Sequence, residues 1–210
     1  METRERIQVK ANELFMRYGI RSVSMDDIAA QLGMSKKTIY QFFADKDELV
    51  DAVVDDEIRN MQLECAGCIQ NSRDAVDEIF MMMQQIVEDF RNINPMVLYD
   101  LEKFHYKSFR KFIRYKDEFL SNVISGNIVR GIKEEFYRPE INVDIMAKFR
   151  LESMMLTFNI DVFPPRKYNP ADVAKELIEH YVYGLATIKG HKQILKYKQE
   201  YQKKLSTDEK

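Results

Sequence analysis

Apolar residues recur along this chain at steps of three and four, and no run alternates at steps of two, so the pattern predicts helices from end to end. Ile7, Ala11, Leu14, Phe15 and Tyr18 mark one face of a first helix, with Thr3 as its cap and Gly19 as its stop. Ser24 can cap a second, short helix, with Asp27 three places on and Ile28, Ala29 and Leu32 along one side. Gly33 ends it. The Gly33-Met34-Ser35 turn allows a sharp bend, because glycine enters left-handed backbone angles without steric cost and Ser35 can cap the next helix. That third helix runs from Lys36 to about Phe43 and packs back through Ile39, Phe42 and Phe43. Leu14, Phe15, Ile28, Leu32, Ile39 and Phe43 form the expected core of this small bundle.

Asp45 and Glu48 box the start of a long helix reaching about Ile69. Its Leu49 and Val53 point to the bundle, while Val54, Ile58, Met61, Cys65 and Cys68 continue along one side. Further helices are predicted over about Asp74 to Arg91, after Asn94-Pro95 through Phe104, from near Asp117 to about Tyr137, from Asn142 to about Ile160, and from Asn169-Pro170 to Lys189. The run Tyr106 to Tyr115 is basic and aromatic together. Apolar residues of the Asn142 helix cover more than one of its faces, which predicts burial on more than one side. Phe163-Pro164-Pro165 to Asn169 is the clearest loop, and Lys192 to Lys204 reads either as an extra helix or as a solvated tail.

Composition narrows this to an all-α protein: 210 residues suffice for one large or two small domains, and 7 Gly with 5 Pro leave few tight turns. No apolar stretch suits a signal peptide or a membrane span, so the cytoplasm is the expected compartment. Over residues 1–50 the cations Arg4, Arg6, Lys10, Arg17, Arg21, Lys36, Lys37 and Lys46 only balance Glu2, Glu5, Glu13, Asp26, Asp27, Asp45, Asp47 and Glu48. Affinity for nucleic acid irrespective of its sequence should therefore be modest.

The two short helices and their turn read as a helix-turn-helix, with Lys36, Lys37, Thr38, Tyr40 and Gln41 facing outward at the end that such proteins insert into the major groove. Lys46 is at odds with the helix dipole at its first-turn position, which hints at a phosphate partner. The run Ala11, Leu14, Phe15, Gly19, Ser24, Met25, Ile28, Ala29, Leu32, Gly33, Ser35, Lys36, Thr38, Tyr40, Phe43, Lys46 and Leu49 resembles, without a gap, the DNA-binding domain of tetracycline-repressor-type (TetR/AcrR) regulators. Carried over position by position, the resemblance implies that Thr38 and Lys37 face bases or nearby phosphates. It also implies that Tyr40 and Lys46 bind the backbone and that Ser24 meets a phosphate.

Other chemistry is sparse. Cys65 and Cys68 have Cys-x-x-Cys spacing, but both fall on the apolar rhythm of one helix, where Cβ atoms are about 5–6 Å apart and no second ligand pair exists. Buried, inert thiols are expected, with a thiol sensor as the other reading. His105, His180 and His191 are scattered without a nucleophile beside them, and the glycines are isolated, so no catalysis, cofactor or metal is expected. Met81, Met82, Met83, Met96, Met154 and Met155 among aromatic residues are either core packing or the lining of an adaptable pocket. The resemblance implies an effector between the helices after the bundle, with Met83, Phe104, Met154 and Phe158 as its expected contacts.

The resulting expectation is a DNA-binding domain over residues 1–47 and, over residues 48–210, a helical domain that pairs subunits and senses an effector. The chain would be a homodimeric transcriptional repressor, released from a palindromic double-stranded operator by a small, largely apolar molecule. The alternative is a helical DNA-binding protein whose C-terminal domain only dimerises or meets a protein partner.

Overall fold

The computed structural model of the protein describes residues 2–208, and among these it is helical throughout, with one isolated bridge between Tyr137 and Ala186 and no strand. Helix α1 (Thr3–Tyr18) begins one residue earlier than a Thr3 cap requires: Glu2 is the cap, its N–H donating to the Glu5 carboxylate at 3.0 Å. Gly19 then turns the chain at a φ of 85°, a left-handed angle, where an added Cβ would also meet Asp100 Oδ2 at 3.1 Å. Helices α2 (Met25–Leu32), α3 (Lys36–Tyr40) and α4 (Lys46–Asn71) come next. The third is shorter than its apolar spacing suggests, because Gln41 and Phe42 donate to carbonyls three residues back and tighten its end into a turn.

Ile7, Ala11, Phe15, Ile28, Ile39, Phe43, Leu49 and Val50 form the centre of the N-terminal core, each at most 4% exposed. Leu32 only packs against its edge. Two residues from much later in the chain complete this core: Val97 and Leu101 of α6 (Met96–Phe104). The same helix is tied down by polar bonds, with Arg21 N–H donating to Asp100 at 2.8 Å and Asn94 N–H to the Met16 carbonyl at 2.6 Å. Helix α7 (Tyr106–Arg114) lies along α4, where Lys111 pairs with Asp51 and Asp55 at 3.0 and 2.7 Å and Ser108 donates to Asp51 at 2.9 Å. The basic and aromatic run of the sequence is thus a helix with acidic partners one turn apart on α4.

A π-helical turn, Tyr115–Leu120, joins α7 directly to α8 (Ser121–Lys133), so the expected break before Asp117 is absent. Helix α5 (Ala75–Phe90) is the spine of the second core, packed by α8, α10 (Pro170–Leu185) and α11 (Ile188–Asp208). Asn169 caps α10 as its sequence predicts, but the helix stops at Leu185 and a new one starts at Ile188. The basic last segment is helical, and Ile194, Tyr197 and Tyr201 bury against α5. Helix α9 (Val143–Leu156) departs from expectation. Ala147 and Leu151 are buried, yet Ile145 is 60% and Phe149 48% exposed, so its second apolar side faces outward. No helix among the described residues is long and apolar enough to cross a membrane.

Candidate nucleic-acid interface and inner cavity

The outward edge of the helix-turn-helix is built by three caps in succession. Ser24 Oγ accepts the Asp27 N–H and the Asp27 carboxylate accepts back from the Ser24 N–H at 2.8 Å, which fixes the start of α2. Gly33, at a φ of 63°, closes it in the left-handed region, and its N–H and that of Met34 satisfy the last carbonyls. Ser35 then caps α3, accepting the Thr38 N–H at 3.1 Å. Ile39 and Phe43, both fully buried, anchor that helix from behind.

Outward, Ser24, Lys36, Lys37, Tyr40 and Gln41 are exposed and Thr38 is half-buried. Lys36 pairs with Asp26 at 2.9 Å and lies 5.9 Å from the centre of the Tyr40 ring, and the carboxylate raises the lysine pKa. Thr38 shares its hydroxyl hydrogen bond with Ser35 Oγ at 2.8 Å. Lys37 has no acidic partner among the described residues and projects freely. Lys46 sits lower, half-buried: its Nζ donates to the Ile20 carbonyl at 2.6 Å, and burial pulls its pKa down. That carbonyl accounts for a cation at a helix start, where the dipole favours anions. Three N–H donors on an ammonium leave two for another partner.

Behind the bundle lie two adjoining cavities. The one of about 480 Å³ reaches from the N-terminal core (Phe15, Ile20, Val50, Val53) past Val97 and Leu101 to Met154 and Phe158. The other, about 180 Å³, lies between α4, α5, α8, α9 and α10. Met61, Glu64, Asp89, Phe90, Tyr115, Leu120 and Met154 line both. Of the four effector contacts expected from the sequence, Met83 lines the smaller cavity, Phe158 the larger and Met154 both. Phe104 lies elsewhere, 44% exposed, with the Arg21 guanidinium 5.0 Å above its ring. Cys65 and Cys68 are free and wall the smaller cavity; burial pushes the Cys65 thiol up to about 11, which leaves little nucleophilic thiolate near neutral pH. Among the described residues no three His, Cys, Asp or Glu side chains gather as metal ligands.

Apolar spacing points to part of this lining but misses its polar members. Glu57 lines the larger cavity, and Glu64 and Asp89 line both. Burial is the first cause raising the pKa of all three; next come the charges of Glu64 and Asp89 for Glu57, that of Asp89 for Glu64 and, against a hydrogen bond from Gln85, that of Glu88 for Asp89. Arg150 and Tyr181 line the smaller cavity. The available signal for the arginine is its place as a cation within the apolar run Met146 to Leu156.

Residues 7–53, the segment that carries this helix-turn-helix and its capped turn, match the family model for "Bacterial regulatory proteins, tetR family". That segment is similar to the DNA-binding part of tetR-family regulators. YvaF of Bacillus subtilis (strain 168), named as an uncharacterized HTH-type transcriptional regulator, is 24% identical over 159 residues, 75% of this chain and 83% of its own. Two solved structures share the fold. A transcriptional regulator from Saccharomonospora viridis in complex with choline superposes with a TM-score of 0.69 at 17% identity, covering 88% of this chain and 97% of that one. FadR from Bacillus subtilis in complex with stearoyl-CoA does so with a TM-score of 0.61 at 15% identity, covering 86% and 98%. The match and the HTH-type relatives support DNA-binding regulation, and residues 24–46 carry the helix-turn-helix within the matched segment.

Proposed function

We propose that this chain is a homodimeric repressor, with residues 1–47 reading a palindromic operator in the cytoplasm and residues 48–210 pairing subunits and taking up a small, largely apolar effector. One observation carries the reading: Phe15, Ile20, Val50, Val53, Val97 and Leu101 belong at once to the core of the DNA-binding bundle and to the wall of the larger cavity. A molecule filling that space touches the residues that orient α3. An effector that prefers one setting of the bundle shifts the population toward it by its differential affinity for the two settings, typically about 1–3 kcal/mol, or 5- to 150-fold in operator affinity. Two fold neighbours, one in complex with choline and one with stearoyl-CoA, support the reading that this fold takes a ligand. The test is a metabolite screen by thermal shift, followed by operator binding for each compound that stabilises the protein. Loss of operator affinity within that range is expected. Compounds that bind the cavity and leave operator affinity unchanged would favour a domain that only dimerises.

Pairing is supported by the outward apolar side of α9, where Ile145 and Phe149 are open to solvent beside α10. Phe149→Glu is expected to convert a dimer into a monomer by analytical ultracentrifugation while leaving the helical circular-dichroism signal in place. A dimer that persists in this variant would place the interface elsewhere.

For the reading edge, Lys37→Ala is expected to weaken binding to the operator and lower the slope of log affinity against log salt by about one, with no change in melting temperature. Thr38→Ala should alter which operator is preferred. Lys46→Ala should also flatten the salt slope by about one and, unlike Lys37→Ala, lower the melting temperature, because the Ile20 carbonyl loses its donor.

A further inference from the structure

We infer that the cavity takes an anionic amphiphile, a carboxylate with an apolar chain, its head held by Arg150 and Tyr181 and its tail running between α5 and α9 toward the DNA-binding core. The inference rests on the cavity being the effector site. Arg150 projects from α9 into the smaller cavity, largely buried, and among the described residues no carboxylate pairs with it. Its side chain meets Ser153 Oγ through a long 3.4 Å hydrogen bond, and the centre of the Tyr181 ring lies 5.9 Å from the guanidinium carbon. A guanidinium stays protonated even when buried, so among the described residues this is a cation with no ion-pair partner in contact. Burial pulls its pKa below the ordinary value, as expected for such a cation.

A second, independent feature meets it there. Tyr181 is 4% exposed, lines the same cavity, and its hydroxyl has no hydrogen-bond partner. An orphan buried hydroxyl is costly, and here it stands beside an unpaired donor fork. A carboxylate satisfies both, accepting from the guanidinium and from the phenol.

The remainder of the lining offers the tail a path. Met82, Met83, Ile86, Ile124 and Ile178 give apolar surface around the smaller cavity, beside the polar Glu64, Gln85, Asp89 and Asn127, and the shared residues Phe90 and Met154 continue the apolar surface into the larger one. Glu57 lines the larger cavity alone, whereas Glu64 and Asp89 line both. Arg150 and the unpartnered Tyr181 hydroxyl place the head at the smaller cavity, and the tail runs beside Val97 and Leu101.

Calorimetry with laurate, 1-dodecanol and dodecyltrimethylammonium on the full chain tests this, since the three share a tail and differ in head charge. Laurate is expected to bind at least about tenfold tighter than dodecanol, in line with a charge-assisted hydrogen bond. Arg150→Gln should erase that ratio, and Arg150→Lys should keep part of it. Equal binding of laurate and dodecanol to the unaltered protein, tighter binding of the ammonium, failure of all three to bind, or a ratio that survives Arg150→Gln would each overturn the inference. The first of these needs no variant, so a misfolded Arg150→Gln cannot mask the answer. Operator binding measured alongside separates the two readings. Arginine-dependent laurate binding that leaves operator affinity unchanged keeps the head-group assignment and removes the effector role. Laurate and dodecanol releasing DNA equally does the reverse.

Discussion

Phe43→Ala is expected to remove about 3–5 kcal/mol of stability, the usual cost of emptying a fully buried aromatic site. The Phe43 ring closes the back of α3, and the Arg4 guanidinium lies 4.7 Å above it. Its loss opens a hole where α1 and α3 meet. Because α3 spans only Lys36–Tyr40, too short to hold itself as a helix in water, its geometry depends on this packing. Operator binding should fall with stability, whereas Lys37→Ala should weaken binding without unfolding anything. Urea unfolding of both variants beside DNA titrations checks the contrast. Normal unfolding of Phe43→Ala would mean that the bundle repacks and that α3 is not held from behind.

Asp74→Ala is expected to cost nearly as much, at the opposite end of the molecule. Asp74 Oδ1 accepts the Val76 and Asp77 N–H groups at 3.0 and 2.9 Å and so caps α5, while Oδ2 accepts Tyr197 Oη at 2.6 Å and Gln193 Nε2 at 2.9 Å. Removing the cap costs about 1 kcal/mol. Leaving the buried Tyr197 hydroxyl without its acceptor costs about 1–3 kcal/mol more. Asp77, which binds Arg73 through both oxygens and accepts from Tyr201 at 3.0 Å, reinforces the same seam between α5 and α11. Asp74→Asn keeps a capping oxygen and should lose clearly less, as a pair of thermal melts would show. Equal losses would place the stabilisation in the carboxylate charge rather than in the cap.

The helix-turn-helix is legible from the chain because its determinants are local. Ser24, Gly33, Ser35 and Asp45 each act on atoms within a few residues, and every one caps or turns the backbone where the sequence places it. Elements whose ends depend on distant partners are less legible. Helix α11 looks as much like a tail as a helix in sequence, because Tyr197 and Tyr201 find Asp74 and Asp77 more than 120 residues away. The π-helical turn after Arg114 carries no periodic signature of its own, so the rod from α7 into α8 reads as two pieces. Likewise, nothing local to Val97 and Leu101 says that they close the N-terminal core.

The inner cavity shows the same division. Met83, Met154 and Phe158 stand out as apolar residues in helical register, whereas Phe104, equally apolar in sequence, carries Arg21 at the surface. Periodicity reports which side of a helix is greasy, not whether that side meets core, cavity or solvent. The polar lining, Glu57, Glu64, Asp89, Arg150 and Tyr181, emerges only when four helices converge.

Selection of bound duplexes from a random library at low salt tests the central claim, that the polar edge of α3 reads DNA, most directly. The unaltered protein should enrich one sequence, and Thr38→Ala should enrich a different one from the same pool. A pool that stays random after repeated rounds, or an identical winner for both proteins, would contradict it.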